Sequence, residues 1–144
     1  MTKILRGYLD IHGRAIVGLK LGRGEYVSAQ VDTGFNGLLL FSSSHALELD
    51  LGLPEEYDSF PGAGGTAVLA GEVTDVPYYW FDEYRTGTIL VSAPPAPGSL
   101  THRISLDEQE PMALLGTRML RGCHLSMHFW AGTKFPVKIR KLNR

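Results

Sequence analysis

The chain has 144 residues, 44% of them hydrophobic, and a formal net charge of -1. These values predict one globular domain over residues 1–144 with a buried core. The near-neutral charge argues against binding to nucleic acid or to a membrane surface, because both kinds of binding require clustered positive charge.

The N-terminal residues and the cysteine content favour a cytoplasmic protein. Residues 1–6 lack the apolar stretch of a secretory signal, and no apolar run approaches the roughly 18 residues of a membrane-spanning helix. The single cysteine, Cys123, cannot form an intrachain disulfide, which agrees with a reducing compartment.

Short β-rich runs separated by turn residues predict an all-β fold. The chain contains 17 glycines and 8 prolines, and no window shows the 3.6-residue period of a long amphipathic helix. The β-rich runs that alternate with turn residues are expected to be strands, at residues 16–21, 26–32, 38–41, 66–69, 72–77, 78–81, 86–92 and 125–130.

Two short helices are expected among these strands. Residues 42–49 open with serines that can cap a helix N-terminus, and residues 117–121 are followed by Gly122, a typical C-terminal cap. The proline-rich segment 94–111 is predicted to be a surface loop. Basic and apolar residues alternate in segment 134–144, which favours a half-exposed strand at a sheet edge.

The residues that carry chemistry stand at the end of the second predicted strand. There, an apolar run ends in Asp32-Thr33-Gly34. Alone, this tripeptide is also compatible with an ordinary β-turn that begins at an aspartate. A second pattern, Met112-Ala113-Leu114-Leu115-Gly116, lies downstream and consists of apolar residues that end in glycine.

Together, the two patterns resemble the retropepsin-like (retroviral-type, clan AA) aspartic proteases, as a bacterial-type single-domain member. The resemblance covers roughly residues 16–129. It implies a small closed acid-protease barrel, in which the strand ending in Asp-Thr-Gly is crossed by the hydrophobic-hydrophobic-Gly element, with one short helix after that element. It also implies that Asp32 is catalytic, that Thr33 hydrogen-bonds across a dimer axis, and that Gly34 allows close approach of the backbone.

The chemistry of this family requires two carboxylates around one water molecule. One carboxylate is ionised and takes a proton from the water, while the other is protonated and polarises the peptide carbonyl. This chain carries one Asp-Thr-Gly segment, so the second carboxylate has to come from a second copy. A homodimeric aspartic endopeptidase that acts on peptide or protein substrates is therefore expected, with no cofactor and no metal.

The family also covers its substrate with a β-hairpin flap, whose tip needs small residues. Leu69-Ala70-Gly71 is the preferred tip, because it lies between two β-rich runs. The glycine-rich segment 62–65 remains the alternative. Leu69, Ala70, Gly71 and Leu114 are accordingly the expected substrate-binding residues. Some preference for hydrophobic side chains next to the cleaved bond is expected, because apolar residues would line or support the pockets: Leu38, Leu40, Val68, Leu69 and Leu114.

Phe35 departs from the family pattern, because many aspartic proteases have alanine or a hydroxyl residue directly after Asp-Thr-Gly. The alternative reading is a peptide-binding or scaffolding β-domain of the same fold that lacks catalysis. A metal site at His124 and His128 is not expected, because no further acidic or cysteine partner stands at ligand spacing. Ser42, Ser43 and Ser44 are interpreted as helix caps instead of hydrolase nucleophiles.

Overall fold

Ten β-strands and one short α-helix make up the described part of a computed structural model, which covers residues 3–61, 67–94, 111–129, 132 and 134–142. In chain order the elements are β1 (Ile4–Leu9), β2 (Ala15–Leu21), β3 (Tyr26–Val31), β4 (Leu39–Phe41), α1 (Ser43–Glu48), β5 (Asp58–Pro61), β6 (Ala67–Trp80), β7 (Glu83–Ser92), β8 (Ala113–Leu115), β9 (Cys123–Met127) and β10 (Val137–Lys141).

Six of these strands close into a barrel. Their order is β6-β7-β4-β8-β3-β2, and β2 pairs back onto β6 through Lys20 opposite Tyr79 and Leu21 opposite Tyr78. The predicted all-β barrel is therefore confirmed. Within the described residues, no helix is long and apolar enough to cross a membrane.

The barrel interior is filled by every second residue of its strands. In β2, Val17, Leu19 and Leu21 are each at most 2% exposed, as expected where one face of a strand packs on the core. The largest side chains that are fully buried are Trp80, Phe41, Leu19, Leu39, Ile89 and Leu115. These residues come from five different strands, so the core depends on pairings between distant parts of the chain.

A second group of strands, β1-β10-β9, extends the sheet beyond β2. β10 pairs with β1 on one side, where Leu5 faces Ile139, and with β9 on the other, where Leu125 faces Ile139. The prediction of a strand in the basic C-terminal segment is confirmed, but its placement at a sheet edge is wrong. Among the described strands, β9 forms the edge at this end of the sheet.

The helix prediction is confirmed at one of its two places. The hydroxyl of Ser42 caps α1 by accepting a 3.2 Å hydrogen bond from the backbone N–H of His45. Residues 117–121, after the hydrophobic-hydrophobic-Gly element, form consecutive turns instead of a helix: Met119 N donates to Gly116 O and Leu120 N donates to Thr117 O. Gly122 follows with a φ of 73°, a left-handed conformation in which a helix cannot continue.

Three predicted strands prove to be one. The strands predicted at residues 66–69, 72–77 and 78–81 fall on the long strand β6, which covers Ala67–Trp80; residue 66 lies outside the described residues. β6 is irregular between Val73 and Val76, where Asp75 adopts a φ of 57°. Strands β1 and β5 were not predicted. β1 contains Gly7, which is paired with Val137 of β10. It lies so close to β2 that an added Cβ would collide with the carbonyl oxygen of Ile16.

Charged side chains connect the β6–β7 turn to the C-terminal strand. Glu83 accepts hydrogen bonds from Lys141 at 2.6 Å and from Arg85 at 2.9 Å. These two bonds lower the pKa of Glu83 to about 2, and the bond from Lys141 contributes more than the bond from Arg85. The ionised form of Glu83 therefore stabilises the folded state.

Replacement of Glu83 by Gln tests this contribution. Because the pKa is depressed on folding, the stabilisation is present above about pH 4.5, the ordinary value for this group, and is lost as pH falls toward about 2. We expect Glu83→Gln to lower the urea midpoint at pH 7 but to differ little from the parent protein near pH 2.

The matched control is Asp82→Asn, which removes the neighbouring negative charge at an exposed turn position with a φ of 63° that Asn tolerates. Equal losses of stability for both variants at pH 7, or a loss for Glu83→Gln that persists unchanged at pH 2, would contradict the assigned role of Glu83.

Candidate active site

Asp32 lies directly after the last residue of β3. Along this strand Val27, Ala29 and Val31 point into the core and are at most 9% exposed. Asp32 follows in the alternation, so its carboxylate points to the other face of the sheet, where it is half-buried. Its backbone N–H donates a 2.9 Å hydrogen bond to Leu115 O, which ties it to β8.

β8 lies between β3 and β4 and belongs to both pairings. It is parallel to β3, with Val31 opposite Leu115, and antiparallel to β4, with Leu39 opposite Leu115. The hydrophobic-hydrophobic-Gly segment therefore crosses the strand that ends at Asp32, as the sequence resemblance implied. This crossing brings together two parts of the chain that are more than 80 residues apart.

The turn after β3 holds the carboxylate of Asp32 in place. The backbone N–H of Gly34 donates to Asp32 Oδ1 at 2.9 Å, and the N–H of Phe35 donates to Asp32 O at 3.1 Å. One carboxylate oxygen is thus held in place by a backbone amide. Thr33 and Gly34 are exposed, so both could contact a second molecule.

The segment after β8 is locked against the same turn by its backbone. Gly116 N donates to Leu38 O at 3.0 Å, and Thr117 N donates to Phe35 O at 2.8 Å. A Cβ added at Gly116 would collide with Gly37 O and would lie 2.6 Å from Phe35 O. Only glycine permits this approach, which explains why the apolar run has to end in that residue.

Phe35, the departure from the family pattern, packs its ring over two glycines. Its Cζ would be 2.5 Å from a Cβ at Gly37, and its Cδ2 would be 2.7 Å from a Cβ at Gly116. The ring therefore occupies the space that side chains at those two positions would need. Phe35 is accommodated because both neighbours are glycine.

The predicted flap tip at Leu69-Ala70-Gly71 is wrong. All three residues lie inside β6, and Ala70 is 1% exposed. Gly71 serves a close contact within the strand instead of a turn. A Cβ added at this position would collide with Glu56 O and the ring of Pro54. Of the three, Leu69 is accessible to a ligand, with 55% of its surface exposed.

The hairpin that could form a flap consists of β5 and β6. Its last described pair is Pro61 opposite Ala67, so residues 62–66 connect the two strands. The alternative flap tip, the glycine-rich segment 62–65, lies outside the described residues. Val68 and Leu69 are the large apolar residues of β6 that are exposed near this connection.

Leu114 lies on the same face of the sheet as Asp32. It is paired with Gln30 of β3 and with Leu40 of β4, and paired residues of neighbouring strands point to the same face. Leu114 is half-buried, whereas its neighbours Ala113 and Leu115 are in the core. Gln30 was missed as a site residue, although its place two residues before Asp32 in a strand already puts both on one face.

Other groups considered as ligands are not assembled into a site. No cluster of three or more histidine, cysteine, aspartate or glutamate side chains that could hold a metal ion occurs among the described residues. Cys123 is half-buried, and burial raises the pKa of its thiol. A neutral thiol is a poor metal ligand and a poor nucleophile.

Comparisons with known proteins agree with this architecture. No family model and no curated protein matches the sequence. A crystal structure of a retropepsin-like aspartic protease from Rickettsia conorii is similar, with a TM-score of 0.62, 14% identity, and coverage of 98% of this chain and 94% of that chain.

The structure of EIAV protease complexed with the inhibitor HBY-793 is also similar, with a TM-score of 0.53, 15% identity, and coverage of 79% of this chain and 91% of that chain. The fold is therefore retropepsin-like.

Substitution of Gly116 by Ala tests the backbone crossing. The added Cβ has no space between the carbonyls of Gly37 and Phe35, so we expect a loss of about 2 kcal/mol in the free energy of unfolding, measured by urea denaturation. Gly18→Ala is the control, because its added Cβ would meet its nearest neighbour, Tyr26 Cδ1, at 3.9 Å. Equal stability of the two variants would show that the crossing is not tightly packed.

Proposed function

We propose that the chain, as a single domain over residues 1–144, is the subunit of a homodimeric aspartic endopeptidase that works in the cytoplasm. The observation that carries the proposal is the position of Asp32. It lies at the crossing of β3 and β8 in a retropepsin-like fold, with one carboxylate oxygen held by the N–H of Gly34. The carboxylate is half-buried and accessible from one side.

The proposed reaction is hydrolysis of a peptide bond by a water molecule held between two Asp32 carboxylates. One carboxylate accepts the proton of the water as it attacks the carbonyl carbon, and the other, protonated, hydrogen-bonds to the carbonyl oxygen. The pair titrates as a unit, because two like charges this close cannot both be ionised. No cofactor or metal takes part in this scheme.

A two-fold axis next to Asp32 would place Thr33 of each subunit against the other. Thr33 is exposed, and its hydroxyl makes no hydrogen bond with the described residues of its own subunit. A hydrogen bond of Thr33 across the axis would stiffen the two carboxylates relative to each other. Gly34 allows this approach, since it adds no side chain next to Asp32 Oδ1.

The substrate would bind as an extended strand between the β5–β6 hairpin and the face that carries Asp32. Leu69 is exposed on this hairpin, and Leu114 is half-buried on the opposite face. Both can contact substrate side chains. Ala70 and Gly71 are buried within the subunit and would support the hairpin without touching the peptide.

The open edge of β9 is the proposed contact with the second copy. A series of turns links β9 to the site: Thr117 N donates to Phe35 O, Leu120 N to Thr117 O, and Cys123 N to Leu120 O. β9 thus starts close to the Asp32 turn. The other edge strand among the described residues is β5, which lies at the opposite end of the sheet and belongs to the β5–β6 hairpin.

Hydrogen bonds to β10 determine which backbone groups of β9 remain open. His128 N donates to Pro136 O and Leu142 N donates to Gly122 O, so the even-numbered residues of this segment form the hydrogen-bonded pairs with β10. The N–H groups of Leu125 and Met127 therefore point away from β10. Antiparallel pairing of β9 with its symmetry mate would satisfy them, since an isologous contact pairs a strand with itself.

Met127→Pro tests the interface. The side chain of Met127 is 38% exposed, and proline removes an N–H that points outward while leaving the bonds between β9 and β10 intact. We expect the variant to sediment as a monomer and to lose peptidase activity in parallel. Met127→Val, which keeps the N–H and suits a strand, serves as the control. A Met127→Pro protein that remains dimeric would exclude this edge as the interface.

Asp32→Asn tests the catalytic assignment. Asn keeps the size and the hydrogen bond from Gly34 N–H but cannot accept a proton, so cleavage of an unfolded protein should fall by at least about 100-fold. Asp50→Asn, at a side chain that is 82% exposed, should leave the rate unchanged. Cleavage that survives Asp32→Asn would rule out this mechanism, and parent protein that cleaves nothing would favour the non-catalytic peptide-binding domain.

A further inference from the structure

Gln30 is a polar residue next to the candidate catalytic group that the proposed mechanism does not use. It lies in β3, between Ala29 and Val31, which point into the core. Its side chain points to the opposite face, which is also the face of Asp32. Two residues along a strand correspond to about 6.6 Å, so the amide lies within reach of a substrate residue adjacent to the cleaved bond.

The strands on both sides of Gln30 present apolar side chains to this face. Gln30 is paired with Ile16 of β2 and with Leu114 of β8. Ile16 is 3% exposed, so it is closed to a ligand and only supports this face. Leu114 is half-buried and is paired on its other side with Leu40, which is also half-buried. The accessible surface on the β8 side of Gln30 is thus apolar, and the amide of Gln30 is a polar group beside it.

The amide of Gln30 is open to form new hydrogen bonds. It is half-buried, and its side chain makes no hydrogen bond with any described residue. It offers two N–H donors and one carbonyl acceptor. A substrate residue without polar atoms would displace water from these groups without replacing its hydrogen bonds, which is unfavourable.

We propose that Gln30 is a specificity-determining residue, which selects a substrate with an uncharged amide or hydroxyl side chain next to the cleaved bond. This inference rests on the proposed peptidase function. It differs from the expectation from the sequence, which was some preference for hydrophobic side chains next to the cleaved bond. A site that hydrogen-bonds a polar substrate group discriminates more sharply than an apolar pocket, because the unmatched partner leaves a buried polar group unpaired.

The experiment compares the parent protein with Gln30→Leu on peptides that carry either Gln or Leu at each position flanking the cleaved bond. At one of these positions, the parent protein should prefer Gln by at least about tenfold in kcat/KM, and Gln30→Leu should abolish or reverse this preference. Gln30→Met, which matches glutamine in length, should act like Gln30→Leu. Tyr26→Phe is the control, because Tyr26 lies on the same face of β3 but four residues from Gln30.

A binding measurement separates this inference from the peptidase assignment. The same Gln and Leu peptides, with the cleavable bond replaced by a reduced amide, are titrated calorimetrically into both proteins. A Gln preference that depends on Gln30, in a protein that cleaves nothing, supports the selectivity and removes the peptidase. Cleavage that requires Asp32, with the Gln to Leu ratio unchanged in Gln30→Leu, overturns the selectivity alone. Absence of both cleavage and binding overturns both.

Discussion

The structure depends on the close crossing of β8 over the turn that follows β3. Leu115 O accepts the N–H of Asp32, and Gly116 lies against the carbonyls of Phe35 and Gly37 with no room for a Cβ. The carboxylate is therefore positioned by backbone hydrogen bonds and backbone contacts, which vary less than side-chain rotamers. This is a suitable basis for the proposed role of Asp32, in which the carboxylate would have to be held within a fraction of an ångström of its partner.

The terminal strands limit how two subunits can meet. Because β10 is paired on both sides within its own chain, by β1 and by β9, neither of its edges is open to a partner. The outward N–H groups of β9 have no partner strand among the described residues, and the turns 116–122 connect β9 directly to the Asp32 loop. Association through β9 would therefore couple the assembly of the dimer to the geometry of the site.

Local patterns in the sequence predicted what depends on neighbouring residues. The strand that ends at Asp32, the capped helix α1 and the glycine that closes the hydrophobic segment were all identified. The flap tip was not, because a glycine can serve either a turn or a close contact, and Gly71 serves a contact with Pro54 and Glu56. β10 was placed at an edge because one of its two partners, β1, lies at the other end of the chain and was not predicted as a strand.

The same strand, β3, provides both the core and the site, and its register separates the two. Ala29 and Val31 fill the barrel, while Gln30 and Asp32 face the opposite side. A shift by one residue would bury both polar groups and expose the core residues, at a large cost in free energy. The pairings of β3 with β2 and β8 prevent this shift. Hydrophobic burial in the barrel thus determines which side chains of β3 face away from the core, and places the amide of Gln30 beside the carboxylate of Asp32.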